Sequence, residues 1–324
     1  MSINSSFIYG SNNRDSGNTN NIEYNQCNFS TLDEKRPILE WISPFASRER
    51  HQVVRNSRVE KVGDWLLCHE SFSTWRTSDD RTAKPVLFCH GNPGVGKTYI
   101  TYGPPQPPQS GAVLKQWRSS LVIDTLCDGI DGDGVATAYV YCDFSARNMQ
   151  STNAVLGSVL KQVVGALAEI PSGVQQAFER AEKQVDGCGL RLPEILDMLT
   201  RSLSVLKRGF ICIDALDEFP TKHRAQLWNS LQRVVRECPN TRLFLTGRPL
   251  IKKEVEEYLP EEADMVTIEP TSEDIGRYIE ERFNQDLGKS TIDEELRAYI
   301  KRVIPKKVSG MYALTRSVEF YKLG

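Results

Sequence analysis

Eight residues constrain this chain more than any others: Gly91-Asn92-Pro93-Gly94-Val95-Gly96-Lys97-Thr98, directly after the apolar run Lys84 to His90, KPVLFCH. The run reads as a short buried strand. A G-x-x-x-x-G-K-[ST] string leaving such a strand builds a phosphate cradle, because its glycines let successive backbone N–H groups turn inward. Lys97 would then reach the β- and γ-phosphates as a point charge, and the Thr98 hydroxyl would ligate Mg²⁺.

A cradle of this kind belongs on a parallel sheet, and the rest of the chain supplies one. Strand-like runs recur at Thr137–Phe144, Phe210–Asp214 and Arg242–Thr246, with Met265–Ile268 as a fifth candidate. Between them lie helical patterns at 119–127, 153–167, 193–206 and 222–237, and two more follow from 272 and over about 292–303. Ser272-Glu273-Asp274 reads as the cap of the first of these two. Alternating buried strands and helices predict a three-layer α/β fold with a parallel sheet. The expected division is a disordered Asn-rich leader at 1–36, a helical lead-in at 37–83, a core at 84–255 and a helical extension at 256–324. Asparagine fills eight of the first thirty positions, a composition that cannot bury a core.

Two further motifs carry chemistry. Phe210-Ile211-Cys212-Ile213-Asp214-Ala215-Leu216-Asp217-Glu218 delivers a carboxylate at the end of a buried strand. There Asp214 would hold Mg²⁺ and either Asp217 or Glu218 would polarise an attacking water. Leu243-Phe244-Leu245-Thr246-Gly247-Arg248-Pro249 places Arg248 at the end of a neighbouring strand, within reach of a γ-phosphate.

Composition narrows the classes. With 40% hydrophobic and 25% charged residues, a net charge of −2 and a pI near 6.2, the chain suits a soluble globular protein. Nucleic-acid binding by bulk charge is not expected. Neither a secretory signal nor a membrane span is expected from the pattern of the sequence. The eight cysteines show no C-x-x-C pair, and Cys89, Cys142 and Cys212 fall inside strand runs as core residues. The four histidines have no zinc-ligand spacing. These features predict a reduced, cytoplasmic protein with no membrane contact.

In this order and spacing, the phosphate loop, Ile213-Asp214-Ala215-Leu216-Asp217-Glu218 and Thr246-Gly247-Arg248-Pro249 resemble the NACHT class of STAND signalling nucleotidases. Ile38-Leu39-Glu40-Trp41-Ile42-Ser43-Pro44, Gly63-Asp64-Trp65-Leu66-Leu67, Trp75 and Tyr141-Cys142-Asp143-Phe144 are similar to the nephrocystin-3-like N-terminal module of fungal NLR-like proteins. The resemblance runs from about Ile38 to Tyr321. It implies ATP or GTP in a Mg²⁺-dependent switch with slow hydrolysis, and a protein partner or self-association. Asp214 would be the Walker B aspartate, Asp217 and Glu218 the hydrolytic pair and Arg248 the sensor-1 arginine. ATP is favoured by the likeness, and no N-K-x-D-type guanine reader is present. The family usually continues into a winged helix and sensor repeats, so a chain stopping at Gly324 is expected to be truncated. Two other readings stand beside the switch: a small-molecule P-loop kinase or hydrolase, and a non-functional or misannotated fragment of a larger receptor.

One stretch breaks the pattern. Tyr102 to Arg118, YGPPQPPQSGAVLKQWR, carries prolines at 104, 105, 107 and 108, where the helix after the phosphate loop should run. With it cut out, Lys97–Thr101 joins Ser119–Leu126 in one amphipathic helix. A translated intron explains this, and a genuine surface loop is the alternative. In either case the helix should restart near Ser119.

Overall fold

The computed structural model describes residues 35–45, 47–56, 58–78, 83–92, 117–129, 134–144, 149–183, 189–285 and 294–307. Five strands form one sheet: β1 (Val86–His90), β2 (Val135–Tyr141), β3 (Arg208–Asp214), β4 (Thr241–Gly247) and β5 (Ala263–Thr267). Their order is β2-β3-β4-β1-β5, and every neighbouring pair is parallel. The first strand therefore lies inside the sheet, with β4 separating it from β3. All five C-terminal ends share one edge, where open α/β sheets take their ligands.

The strands are apolar because both faces are covered. Leu87, Cys89, Tyr139, Tyr141, Phe210, Cys212 and Phe244 face one core. Val86, Phe88, Ala138, Val140, Ile211, Ile213, Leu243 and Leu245 face the other. This is the period-two alternation of a strand. The first face is covered by α2 (Ser47–Asn56), α3 (Glu70–Thr77), α4 (Trp117–Asp128), α10 (Ser272–Gln285) and α11 (Glu294–Lys307). On the second lie α1 (residues 35–42), α5 (Thr152–Ala166), α6 (Ser172–Glu182), α7 (Leu192–Ser204), α8 (Thr221–Glu237) and α9 (Lys252–Tyr258). Leu156, Leu160 and Leu199 of α5 and α7 are fully buried, and each such side chain contributes about 1.5–3 kcal/mol. The three-layer α/β fold is thus present, and Cys89, Cys142 and Cys212 are buried within it.

Several local features differ from the sequence reading. The sheet takes its edge strand, β5, from beyond residue 255, because Val86 to His90 pairs with Ala263 to Thr267. Gly209 sits inside β3 rather than ahead of it; a Cβ there would lie 2.8 Å from Leu203 Cδ2, so α7 packs where a side chain would stand. The cap of α10 is one residue earlier than expected. Thr271 Oγ1 accepts from Asp274 N at 3.0 Å, and Asp274 Oδ2 accepts from Thr271 N at 3.3 Å, a reciprocal capping box. The other Asp274 oxygen accepts from Gly63 N at 2.8 Å. Gly63 has φ near 90°, a conformation glycine adopts without Cβ strain. This bond ties the lead-in to the helix after β5. The helix α4 is described over Trp117–Asp128 and takes in the restart expected near Ser119. Residues 93–116, including most of the Pro-rich stretch, lie outside the described residues.

Candidate functional site

The strand ends bring the acidic motif and the arginine motif together beside the start of the phosphate-loop motif. Cys89 pairs in register with Thr246, and His90 with Gly247. One strand further, Ile213 pairs with Leu245, which sets Asp214 beside Thr246. Gly91 and Asn92 follow β1 at the same edge, Gly91 buried and Asn92 exposed. Pro93, Gly94, Val95, Gly96, Lys97 and Thr98 lie outside the described residues. A hollow of about 280 Å³ opens here between His90–Asn92 and Thr267–Pro270. A larger one, about 640 Å³, lies among α1, α6 and α7 and is lined by no residue of the phosphate-loop, acidic or arginine motifs.

Asp214 is 3% exposed. Its Oδ1 accepts a short hydrogen bond from Thr246 Oγ1, and the same hydroxyl oxygen accepts from Ala215 N at 2.9 Å. Thr246 therefore fixes both the carboxylate and the backbone behind it. That backbone is unusual: Ala215 has φ 56° and ψ 47°, the left-handed region, which costs a residue with a Cβ roughly 1–2 kcal/mol. The bend turns the chain sharply out of β3 into a single 3₁₀ turn, Leu216–Glu218, and so keeps Asp217 and Glu218 at the sheet edge.

The two acids then differ in surroundings. Asp217 faces Arg248: Oδ1 accepts from Arg248 N at 3.1 Å, and Oδ2 pairs with Arg248 Nε at 2.9 Å. The Asp217 side chain is 8% exposed, that of Arg248 38%. Glu218 is buried, and its Oε2 accepts from Phe144 N at 3.2 Å, just beyond β2. Three carboxylates thus gather at this edge, one of them, Asp217, already paired with Arg248. Burial first, and then the charges of Asp214, Glu218 and Asp217, push the Cys142 thiol well above its ordinary value. Burial, with Asp214 next, does the same to the Tyr141 phenol. A divalent cation would offset such a field. Among the described residues no group of three or more His, Cys, Asp or Glu side chains could hold a metal ion unaided. The donor set instead suits Mg²⁺, which takes one or two carboxylates and completes its shell with water and phosphate oxygens.

Sequence reasoning had named Asp214, Asp217, Glu218 and Arg248, and the fold places all four at this edge. It missed Thr246 as a partner of Asp214, although a threonine at a strand's C-terminal end was a readable signal. It also missed a buried polar cluster behind β2. There His51 Nδ1 lies 2.7 Å from Tyr141 Oη, and His51 Nε2 lies 3.0 Å from Asp124 Oδ1. Asp124 Oδ2 accepts from Arg58 Nη1 at 2.7 Å. Burial lowers the His51 pKa more than the Asp124 hydrogen bond and charge raise it.

The family model described as Nephrocystin 3, N-terminal, matches residues 61–103 and 115–248, more than half of the chain. The chain belongs to the Nephrocystin 3 N-terminal family. The match covers the phosphate-loop and acidic motifs and the arginine motif as far as Arg248, and passes over residues 104–114, inside the Pro-rich stretch. No curated protein matches the chain. Similar solved structures include a Walker-type ATPase of Pyrococcus abyssi, with 13% identity, a TM-score of 0.43 and coverage of 78% of this chain and 65% of that one. The ORC1 protein of Aeropyrum pernix in complex with DNA has 15% identity, a TM-score of 0.46 and coverage of 81% and 60%. AMPPCP-bound DnaA of Aquifex aeolicus has 12% identity, a TM-score of 0.38 and coverage of 83% and 64%. The chain thus spans less than two thirds of each of these proteins, and identity this low carries nothing about their ligands or partners. No helix among the described residues is long and apolar enough to cross a membrane.

Proposed function

We propose that this chain binds a nucleoside triphosphate, ATP in preference to GTP, with Mg²⁺, hydrolyses it slowly, and works as a NACHT/STAND-type signalling switch. The observation that supports this most is the convergence of Asp214, Glu218 and Arg248 on the sheet edge where Gly91 opens the G-x-x-x-x-G-K-T motif. Residues Gly91 to Thr98 wrap the phosphates, with Lys97 as their point charge. Thr98 and Asp214 hold Mg²⁺, which neutralises phosphate charge when bound. Thr246 keeps the Asp214 carboxylate turned to this task through its hydroxyl hydrogen bond.

The two acids take different roles. Asp217 has both oxygens on Arg248, so it holds that arginine in place. Glu218 is the residue that orients and deprotonates the attacking water. Arg248, partly exposed and at the end of the strand between the acid and the phosphate loop, senses the γ-phosphate. Loss of that phosphate would favour a second state, with the bias passed to the helices flanking the core. A protein partner or a second copy reads that state; no nucleic acid and no membrane are needed, and the cytoplasm supplies the nucleotide.

The test is the nucleotide content and turnover of the purified protein. Retained nucleotide near one per chain with slow turnover supports a switch. Rapid turnover on a small acceptor points to a metabolic kinase or hydrolase, and absence of both retained and added nucleotide overturns the proposal.

A further inference from the structure

Two loops make the edge site: the acid loop after β3, Ala215 to Phe219, and the arginine loop after β4, Arg248 to Ile251. Asp217 and Arg248 join them at the front. Behind them lies Arg224, in the first turns of α8 and only 7% exposed. Its Nη2 donates to the Phe219 carbonyl at 3.0 Å, the residue directly after Glu218. Its Nη1 donates to Glu254 Oε1 at 2.8 Å, on the helix into which the arginine loop runs. Glu254 Oε2 accepts from Trp228 Nε1 at 2.7 Å. Trp228 is fully buried and stacks on Tyr258, with ring centroids 6.1 Å apart.

A guanidinium is an expensive filler for this place. Burying it costs solvation that an apolar side chain of similar volume would not lose. An apolar side chain could not grip a carbonyl and a carboxylate at once, which the flat, forked guanidinium does with fixed geometry. We infer that Arg224 is a positioning residue for the site, tying the acid loop to the arginine loop from behind so that Glu218, Asp217 and Arg248 keep their relative places. One readout of the test below rests on the proposed nucleotide site, and the other does not.

The variants are Arg224→Lys, whose ammonium keeps a charge for Glu254 but cannot fork to both partners, and Glu254→Gln, which leaves the Phe219 bond in place. The first readout is amide hydrogen exchange on the full chain without nucleotide. Exchange over 215–219 should accelerate about tenfold in Arg224→Lys and about threefold in Glu254→Gln, in line with loss or weakening of one charged hydrogen bond. Exchange in β1 and β2 should stay unchanged. The second readout is ATP affinity with Mg²⁺ and with EDTA. The Mg²⁺-dependent part should fall about tenfold in Arg224→Lys, while affinity in EDTA stays at the wild-type value. Should Arg224→Lys fail to fold, the Glu254→Gln exchange result decides. Wild-type exchange over 215–219 in the folded variants, or acceleration spread evenly over the sheet, would overturn the inference and leave Arg224 as a core ion-pair member only. If the wild-type chain binds no ATP, the nucleotide reading fails alone, and the exchange arm still tests the role of Arg224.

Discussion

Thr246→Val removes one hydroxyl from a residue that is 4% exposed, and valine fills nearly the same volume. The hydroxyl donates to Asp214 Oδ1 and accepts from Ala215 N. A hydrogen bond to a charged group is worth about 1.5–3 kcal/mol, and a buried N–H deprived of its acceptor costs about 1–3 kcal/mol. Both act on the same bend, so they do not simply add. The total is held down by the strain at Ala215, which can relax once its N–H is released. A net loss of about 3–4 kcal/mol is the reasoned value, which in a domain of this size lowers the melting temperature by roughly 6–16 °C. Thr246→Ser keeps both bonds and loses one methyl, about 1 kcal/mol. Thermal unfolding of the three proteins without nucleotide, followed by circular dichroism and calorimetry, provides the comparison. If Thr246→Val melts no lower than Thr246→Ser, the hydroxyl does not hold the bend, and the geometry assigned to Asp214 loses its support.

Three further outcomes are expected. Glu218→Gln should keep Mg²⁺-ATP affinity yet slow hydrolysis at least about a hundredfold, while Asp214→Asn should weaken the Mg²⁺ dependence; wild-type turnover in Glu218→Gln would transfer the water-orienting role to Asp217. His51, whose pKa lies below its ordinary 6.5 mainly because of burial, takes up its proton at higher pH in the unfolded chain than in the folded one. Stability should therefore fall as the pH drops through the unfolded value and level off below the folded one. His51→Gln should flatten that slope in urea titrations between about pH 7.5 and 5, and an unchanged slope would mean that other groups set it. A chain lacking residues 102–118 should bind ATP more tightly than the full chain, because its helix would run unbroken from the phosphates; equal affinities would show that the first turn suffices. Sequencing the mature message tests the intron reading separately, and a uniform message retaining those codons refutes it.

Much of the frame was legible because it rests on local pattern. Runs such as Val86–Cys89 and Phe210–Ile213 are apolar at every position, as suits strands covered on both faces. The helical faces of α5, α7 and α8 came from their spacing, and the ends fell within two residues. The amphipathic α6, Ser172–Glu182, was not picked out, since its residues are mostly polar and only Val174 is buried. Strand order was not readable: β1 neighbours β4 and β5, a matter of crossovers rather than of any local signal. The site divided in the same way. Asp214 and Arg248 could be placed because one ends a strand and the other directly follows one. The Asp217–Arg248 pair, the grip of Thr246 on Asp214 and the fork of Arg224 depend on loops distant in sequence meeting at one edge. The shift of the α10 cap from Ser272 to Thr271 shows a smaller limit, because adjacent hydroxyl residues offer the same capping chemistry.

Isothermal titration of the Mg²⁺-loaded full chain with ATP, beside Lys97→Ala, bears most directly on the proposed nucleotide site. Saturable binding near one ATP per chain is expected. Loss of the Lys97 ammonium should weaken it roughly tenfold to a hundredfold, the worth of a charged hydrogen bond to phosphate. Equal affinities for the two proteins, or no heat of binding from either, would contradict a phosphate cradle at Gly91 to Thr98.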